Sequence, residues 1–287
     1  MRLQPGEVEI GVAQHMITNE LNAVVAQRIE LGPGLLILRV APVGWELPPF
    51  KPGQFAVLGL PPEAARDPFS DPADDPPHKP GALIRRSYSI ASSSAERQYL
   101  EFYLTLVRSG ALTPRLFALK VGERLWLGPK LTGVFTFDQA PAAANLVMIA
   151  TGTGLAPYMS QLRSDLKGDH PRRIAVLHGA RHSWDLGYRA ELVTMERLCR
   201  NLTYVATVSR PEEEPVPWAG PTGYVQDLWA RRCLDAVWGF RPSPADSHIF
   251  LCGNPAMVDD MTSMLVGEGF KEHSRMRPGE IHVEKFW

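Results

Sequence analysis

Short apolar runs separated by proline and glycine fill the first half of the chain, and this alternation is typical of β-strands joined by turns. The runs fall at residues 21–31, 35–41, 54–60, 83–90, 99–107 and 124–127. Six short strands with turn signals between them favour a closed antiparallel barrel. One helix is predicted at 114–120, because Thr113 is a suitable N-cap and Pro114 is favoured at the first helical position.

The second half of the chain changes period after a linker at 138–144. Strand-like runs at 145–150, 173–179, 202–208 and 248–252 alternate with helical patterns that end near 167 or span 190–200, 225–237 and 256–266. The last helix carries its apolar residues on one face: Met257, Val258, Met261, Met264 and Leu265. Strands separated by helices predict a parallel sheet with right-handed crossovers. The fold class is therefore two-domain, an antiparallel β-barrel at 19–138 followed by a Rossmann-like α/β domain at 144–287.

Composition narrows the class of protein. The 287 residues are 45% hydrophobic and carry 30 Lys and Arg against 31 Asp and Glu, which fits a globular chain and disfavours nonspecific nucleic-acid binding. No apolar run approaches the ~18 residues that span a bilayer, and the first residues lack the apolar core of a signal peptide. We expect a cytoplasmic monomer without membrane contacts. We predict that residues 1–18 form a loose arm and that the Pro- and Asp-rich segment 61–81 forms an exposed loop.

Cysteine and histidine spacing gives no sign of a metal site. Cys199, Cys233 and Cys252 are odd in number and include no CxxC, which argues against a disulfide framework or a four-cysteine iron-sulfur cluster. His178 and His182 are four residues apart, but their segment begins at a strand end and lacks the carboxylate of an HExxH motif. We predict no metal.

Three segments suit nucleotide binding. The turn GTGLAP at 152–157 follows an apolar strand and precedes a helix, so its backbone can approach a pyrophosphate at the helix N-terminus. The pattern is GxGxxP and not GxGxxG, so an ordinary tight turn remains an alternative. The segment RRSYSIAS at 85–92 offers arginines, an aromatic ring and hydroxyls for a phosphate and a flat ring, although a polar edge strand would look similar. GALTP at 110–114 predicts a second anion site. Two anion sites imply two nucleotides.

Six segments together resemble, in order, the signatures of the ferredoxin-NADP reductase family. They are PGQF at 52–55, RRSYSIAS at 85–92, GALTPRL at 110–116, ATGTGLAP at 150–157, LCGNPAMVDD at 251–260 and VEKFW at 283–287. The final Trp beyond the terminal aromatic position is similar to the bacterial ferredoxin/flavodoxin-NADP reductases. The resemblance spans about residues 20–287 and implies FAD and NADP(H) as cofactors.

The resemblance also implies where FAD binds. Arg86 is expected on the pyrophosphate, Tyr88 against the isoalloxazine and Ser89 near its N5, while Phe286 stacks on the other face of the ring and swings aside for nicotinamide. The remaining FAD positions, several of them acting through backbone N–H groups, are Ser87, Phe102, Tyr103, Leu104, Thr105, Val107, Gly110, Ala111, Leu112, Thr113, Thr151 and Trp287.

The coenzyme and the reacting groups follow from the same resemblance. Ser89, Cys252, Glu284 and Phe286 are the expected catalytic residues, although a buried structural cysteine and a surface glutamate are the alternatives for Cys252 and Glu284 taken alone. Ser209 and Arg210 suit a 2′-phosphate and favour NADP over NAD. A further cation of the relatives is absent near Thr222 and Tyr224, so this preference is expected to be weakened. The expected NADP positions are Gly152, Thr153, Gly154, Arg181, Ser209, Arg210, Tyr224, Gly253, Asn254 and Met257.

The implied function is hydride transfer between NADPH and FAD, coupled to one-electron exchange with ferredoxin or flavodoxin. The alternatives are an NAD(P)H-dependent reductase component of an oxygenase system and a noncatalytic electron-carrier subunit. Cations that could steer an acidic partner to the flavin edge, or be ordinary surface, are Arg85, Lys271, Arg275, Arg277 and Lys285.

Overall fold

The computed structural model describes residues 20–72, 79, 81–168 and 171–285, which form two β-sheets and six α-helices. The predicted arm at 1–18, positions 73–78 and 80 of the predicted loop, and the C-terminal residues Phe286 and Trp287 lie outside this range. Across the residues described, no helix has the length and apolar character needed to cross a bilayer.

The first sheet is antiparallel and has the strand order β4-β3-β6-β1-β2-β5. Its strands are β1 Ala23–Gly32, β2 Leu35–Pro42, β3 Phe55–Leu60, β4 Ile84–Ser89, β5 Leu100–Thr105 and β6 Arg124–Leu127. A bridge between Ile90, the residue after β4, and Phe102 within β5 connects the two outer strands, so the sheet curls into the predicted barrel. Alternate side chains such as Leu36, Leu38 and Leu58 point inward and are fully buried, as strand periodicity requires.

The one helix of the barrel, α1 (Thr113–Ala118), begins differently from the prediction. Its N-cap residue is Leu112, and no side chain caps it. Thr113 is therefore not the N-cap, and that prediction was wrong. Its hydroxyl instead bonds the backbone N–H and C=O of Val107, both at 3.2 Å, because the chain turns back on itself between them.

The second sheet is parallel, with the order β11-β10-β7-β8-β9. Its strands are β7 Asn145–Thr151, β8 Ile174–Ala180, β9 Leu202–Val208, β10 Ser247–Cys252 and β11 Ile281–Glu284. The helices are α2 Ala156–Asp165, α3 Arg189–Leu198, α4 Val225–Ala230, α5 Asp235–Trp238 and α6 Pro255–Gly267. The two-domain fold class is confirmed.

Two details of this half depart from the sequence prediction. The single helix expected at 225–237 is wrong, because Arg232 adopts a left-handed backbone with φ 56° and separates α4 from α5. Strand β11 had no counterpart among the predicted strands. It is only four residues long, and its segment IHVE contains two charged or titratable side chains that hide the apolar pattern.

A buried ion-pair network joins the two sheets. Glu101 on β5 is 1% exposed, and its carboxylate accepts hydrogen bonds from Arg39 at 2.6 Å, from Arg163 on α2 at 2.6 Å and from the Tyr188 hydroxyl at 2.6 Å. Burial alone would raise the pKa of Glu101, but the Arg163 charge and these hydrogen bonds hold it below its ordinary value. Arg163 also pairs with Glu191 on α3. The network therefore fixes how α2 and α3 sit on the barrel.

Gly53 of the PGQF segment packs directly against Phe135 and against Gln161 of α2. Its φ is +92°, and a Cβ there would lie 2.0 Å from the carbonyl oxygen of Phe135 and 2.7 Å from Nε2 of Gln161 on α2. That amide nitrogen donates to the same Phe135 carbonyl at 2.8 Å. A side chain at position 53 would have to displace both groups.

We expect Gly53→Ala to destabilise the protein well beyond the cost of its positive φ. A left-handed non-glycine residue costs roughly 1–2 kcal/mol, and the overlap with Phe135 adds a further ~1–3 kcal/mol of packing strain. Gly44→Ala is the matched control, because Gly44 has φ +80° but open space where a Cβ would lie. Urea denaturation of both variants measures the difference, and equal losses of stability would contradict the close approach.

Candidate active site

The carboxyl ends of β7 and β10 form the point where the strand order of the parallel sheet reverses. Chain connections run from β7 outward through β8 to β9, and then return to β10 and β11 on the other side. Ligands of open α/β sheets bind in the crevice at such a point. The GTGLAP turn follows β7 here, and Cys252 ends β10 directly beside it.

Glycine is required in this crevice. A Cβ on Gly154 would lie 2.3 Å from the carbonyl oxygen of Cys252, and one on Gly253 would lie 2.4 Å from Oγ1 of Thr151. The Thr151 hydroxyl in turn accepts a hydrogen bond from the backbone N–H of Asn254 at 2.9 Å. Gly152 has φ +54° and open space beside it. The turn is therefore packed tightly against β10 on one side and open on the other.

Three predicted catalytic residues come together across the two sheets. The Ser89 hydroxyl, at the end of β4, donates to Oε2 of Glu284 on β11 at 3.2 Å, although 195 residues separate them. Cys252 lies opposite Glu284 in the β10–β11 register. Ser89 and Cys252 are 9% and 2% exposed. The barrel thus supplies a hydroxyl, and the parallel sheet a thiol and a carboxyl, to one partly enclosed place.

Burial dominates the protonation of this group. It raises the pKa of Glu284 to about 8, against the opposite effect of the hydrogen bond from Ser89. Burial, with a smaller contribution from Glu284, also raises the pKa of the Cys252 thiol well above its ordinary value. At neutral pH both groups are therefore mainly protonated, and Cys252 is no thiolate nucleophile.

On β4, Arg86 and Tyr88 lie two residues apart and so on the same face of the strand. Arg86 is exposed, whereas the Tyr88 ring is half-buried against the barrel core, and burial raises the pKa of its hydroxyl. Ser87 and Ser89 share the other face. The end of β4 therefore presents a cation, an aromatic ring and a hydroxyl within four residues.

Several side chains predicted to line FAD point elsewhere. Phe102, Leu104 and Leu112 are buried in the barrel core, so only their backbone can reach a ligand. Tyr103 points toward the second sheet, where its hydroxyl accepts from the backbone N–H of Gly187 at 3.1 Å. Strand alternation explains the split between Tyr103 and its two neighbours.

The turn at 107–113, where an anion site was predicted, is partly covered by another segment of the chain. The start of the proline-rich loop packs along it, since Arg66 donates to the carbonyl of Gly110 and Asp71 N–H donates to the carbonyl of Arg108. Val107 is exposed, whereas Ala111 and Thr105 are half-buried. The described part of the loop is thus bound to this turn and is not simply solvated. The predicted FAD positions Phe286 and Trp287 lie outside the described residues.

The predicted NADP residues form two neighbouring groups along one edge of the parallel sheet. Gly152, Thr153, Gly154, Gly253 and Asn254 surround the switch-point crevice, and Asn254 caps α6 through its side chain. Met257 is 4% exposed and packs into the core behind them, so its side chain serves the fold.

Arg181, Ser209 and Arg210 lie together farther along the edge. Ser209 N–H donates to the carbonyl of Ala180, and Arg210 N–H to that of Arg181, both at 3.0 Å. Tyr224 is 68% exposed next to this pair of strand ends, at the start of α4.

The two histidines of the HxxxH spacing have different partners and do not form a common metal site. His178 is fully buried and contacts the Tyr204 hydroxyl at 3.2 Å, while His182 contacts Asp185 at 3.1 Å and Glu213 at 2.7 Å. Within the ranges that the structure describes, no group of three or more His, Cys, Asp or Glu side chains could hold a metal ion.

Sequence reasoning missed two acidic residues that shape these sites. Glu101 is the one charged residue of the apolar strand LEFYLT. A carboxylate between core residues must find buried partners, and this position in the strand could have indicated its role. Glu213 lies in the acidic run Glu212–Glu214, directly after Arg210, where charge complementarity was the signal. The partners of Glu101 and the His182 partner of Glu213 are distant in sequence, whereas Arg210 is three residues from Glu213.

Comparisons with known proteins agree with this architecture. A family model described as an oxidoreductase NAD-binding domain matches residues 148–263. The flavodoxin/ferredoxin–NADP reductase of Escherichia coli is 33% identical over 241 residues, covering 83% of this chain and 88% of the relative. The ferredoxin–NADP reductase of Azotobacter vinelandii is 30% identical over 246 residues, with 82% and 86% covered.

A solved structure of a ferredoxin NADP+ reductase from Neisseria gonorrhoeae, with bound FAD and NADP, has the same fold. It is 21% identical, its TM-score is 0.74, and the match covers 93% of this chain and 98% of the other. By the identity and coverage of its relatives, the chain belongs to the ferredoxin/flavodoxin–NADP reductase family. The resemblance stated from its motifs is confirmed.

We predict that Ser89→Ala raises the pKa of Glu284 above its value of about 8 in the native protein. The lost hydrogen bond favours the carboxylate, and a bond worth ~0.5–1.5 kcal/mol corresponds to about 0.5–1 pKa unit. Infrared difference spectra recorded across pH measure the protonated carboxyl band, which Glu284→Gln identifies. Ser87→Ala, which removes the preceding hydroxyl on the same face of β4, is the control. A carboxyl that titrates near pH 4.5 would contradict the burial of Glu284.

Proposed function

We propose that this chain is an FAD-dependent ferredoxin (flavodoxin)-NADP(+) reductase. The observation that carries the proposal is the meeting of Ser89 from the barrel with Glu284 and Cys252 from the parallel sheet, in a chain of this family. A noncatalytic module would have no need for a buried hydroxyl, a buried thiol and a half-buried carboxyl gathered from both sheets.

The residues at the end of β4 fit FAD. A flat ring requires an apolar surface, which the half-buried Tyr88 supplies, and a pyrophosphate requires cations or free N–H groups, for which Arg86 is exposed on the same face. Ser89 lies one residue further, at the junction of the two sheets. Arg86 and Tyr88 would therefore hold FAD at the end of β4, next to the Ser89–Glu284 pair.

The switch-point crevice fits the nicotinamide coenzyme. Gly152 leaves open space at the turn before α2, a helix of ten residues whose N-terminus favours a pyrophosphate. Cys252 and Gly253 lie beside that turn. Arg181, Ser209 and Arg210 would hold the 2′-phosphate at the neighbouring strand ends, with Tyr224 exposed for the adenine.

Bound FAD supplies hydride exchange with the nicotinamide and single-electron exchange with ferredoxin or flavodoxin. The protein's own residues control position and protons. Glu284 is protonated at neutral pH and bonded to Ser89 Oγ, so the pair can hold or pass a proton at that hydroxyl. The neutral Cys252 thiol excludes water beside them without adding a charge.

Exposed cations before the C-terminal strand support an acidic electron carrier as the partner. Lys271, Arg275 and Arg277 are exposed in the segment that leads into β11. Lys285 also pairs with Asp259, and Arg85 lies over the Trp126 ring at 4.1 Å, so these two are less suited to the role. We propose that the first three steer the carrier toward the end of β11.

The decisive experiment is an anaerobic titration of the purified protein with NADPH, followed by addition of ferredoxin or flavodoxin. We expect a yellow protein that NADPH bleaches and that either carrier then reoxidises. Bleaching by NADH alone would favour the oxygenase-reductase alternative. A colourless protein that does not take up FAD would contradict the proposal.

We also propose that Phe286 covers the flavin ring and must yield to nicotinamide. Phe286→Ser should then tighten binding of NADP+ by up to about fivefold, because a stacking contact of ~1 kcal/mol no longer competes. Absorbance difference titrations with NADP+ measure the change. Phe69→Ser, at an aromatic ring that is 75% exposed in the proline-rich loop, is the control. Equal affinities in the native protein and the Phe286 variant would contradict the covering role.

A further inference from the structure

The edge of the parallel sheet that carries Arg181 and Arg210 also carries an acidic segment. Residues Pro211–Glu213 form one turn of 3-10 helix immediately after Arg210. After this turn, the side chains of Glu213 and Glu214 contact His182 and Ser183, which follow β8. The Glu214 carboxylate accepts from both the backbone N–H and the hydroxyl of Ser183, at 2.5 and 2.6 Å.

Glu213 contacts the guanidinium that the proposed function assigns to the 2′-phosphate. Its Oε1 lies 3.4 Å from Nη1 of Arg210, and its Oε2 lies 2.7 Å from Nε2 of His182. One carboxylate thus bridges Arg210, two residues beyond the end of β9, and His182, two residues beyond the end of β8.

The contacts of His182 keep Glu213 in this place. Its other ring nitrogen contacts Asp185 at 3.1 Å, and its ring stacks on Trp184 with 4.3 Å between centroids. The hydrogen bond from His182 and the charge of Arg210 both lower the pKa of Glu213, so this carboxyl is ionised at neutral pH. A fixed negative charge therefore lies on Arg210 before any coenzyme arrives.

Such a charge opposes a phosphate ester in two ways. The ester carries a charge of about −1.5 to −2 at pH 7 and needs N–H groups of Arg210, one of whose nitrogens Glu213 already contacts. The two anions also repel each other. Unit charges at ~4 Å in water interact by about 1 kcal/mol, which is roughly fivefold in affinity. A coenzyme with a free 2′-hydroxyl meets neither cost.

We propose that Glu213 is a specificity-determining residue that weakens the selection of 2′-phosphorylated coenzyme by competing for Arg210. The inference rests on the proposed function, which places the 2′-phosphate at Arg181 and Arg210. It supplies a physical origin, beyond the cation absent near Tyr224, for a relaxed preference for NADPH over NADH.

The test compares Glu213→Gln with Glu212→Gln in the FAD-loaded protein. Both variants remove one negative charge from an exposed residue of the same segment, but only Glu213 contacts Arg210 and His182 in the structure. Calorimetric titration with 2′-phospho-AMP and with AMP measures the phosphate subsite without turnover. We expect Glu213→Gln to tighten 2′-phospho-AMP about fivefold and leave AMP unchanged, and Glu212→Gln to change either ligand by less than about twofold.

Steady-state kcat/KM values provide a second measurement. The ratio for NADPH over NADH should rise about fivefold in Glu213→Gln through KM, with kcat for NADH unchanged. A gain of equal size for AMP, or for Glu212→Gln, would overturn the inference, since it would reflect a general charge effect.

Arg210→Ala separates this inference from the assignment of the site. If Arg210→Ala weakens 2′-phospho-AMP but Glu213→Gln does not strengthen it, Glu213 has no role in selectivity while the phosphate site stands. If Arg210→Ala leaves the ratio of 2′-phospho-AMP to AMP affinity unchanged, the proposed phosphate site is wrong and the inference falls with it. In the double variant the gain from Glu213→Gln should disappear, because the guanidinium for which the carboxylate competes is gone.

Discussion

The arrangement of the site depends on the buried carboxylate of Glu101. This residue belongs to the barrel, yet its principal partners Arg163 and Tyr188 belong to the second half of the chain. Removing one member of a buried ion pair generally costs ~3–5 kcal/mol, because the remaining charge stays desolvated. The two sheets are therefore held in one relative position, and this position is what brings Ser89 to Glu284.

Docking the sheets also sets the chemistry of the groups between them. A carboxyl at the exposed end of a short strand would be ionised at neutral pH, but Glu284 is enclosed by both halves and keeps its proton. The same enclosure keeps Cys252 a thiol. One packing interface thus supplies a proton-holding pair and an uncharged neighbour beside the crevice where the strand order reverses.

At the outer end of the parallel sheet, the electrostatics depend on pairing between exposed charges and not on burial. There the strand ends are exposed, and Arg210 is paired with Glu213 at the protein surface. The reacting groups are thus tuned by desolvation, whereas the coenzyme edge is tuned by paired surface charges. Charges of the second kind respond to single substitutions without disturbing the fold, because nothing is packed over them.

The sequence by itself determined the class of fold, the order of the two sheets and the glycine turn that contains Gly154, because strand periodicity and glycine turns are local properties. The motif residues Ser89 and Cys252 came from the resemblance to the family. The sequence did not determine where Thr113 bonds, the break between α4 and α5 at Arg232, or strand β11, whose four residues are too few to show a period. It also missed the partners of Glu101 and Glu213. Only the tertiary structure decided those, since burial and pairing join residues such as Ser89 and Glu284 across 195 positions. No local pattern records such a distance.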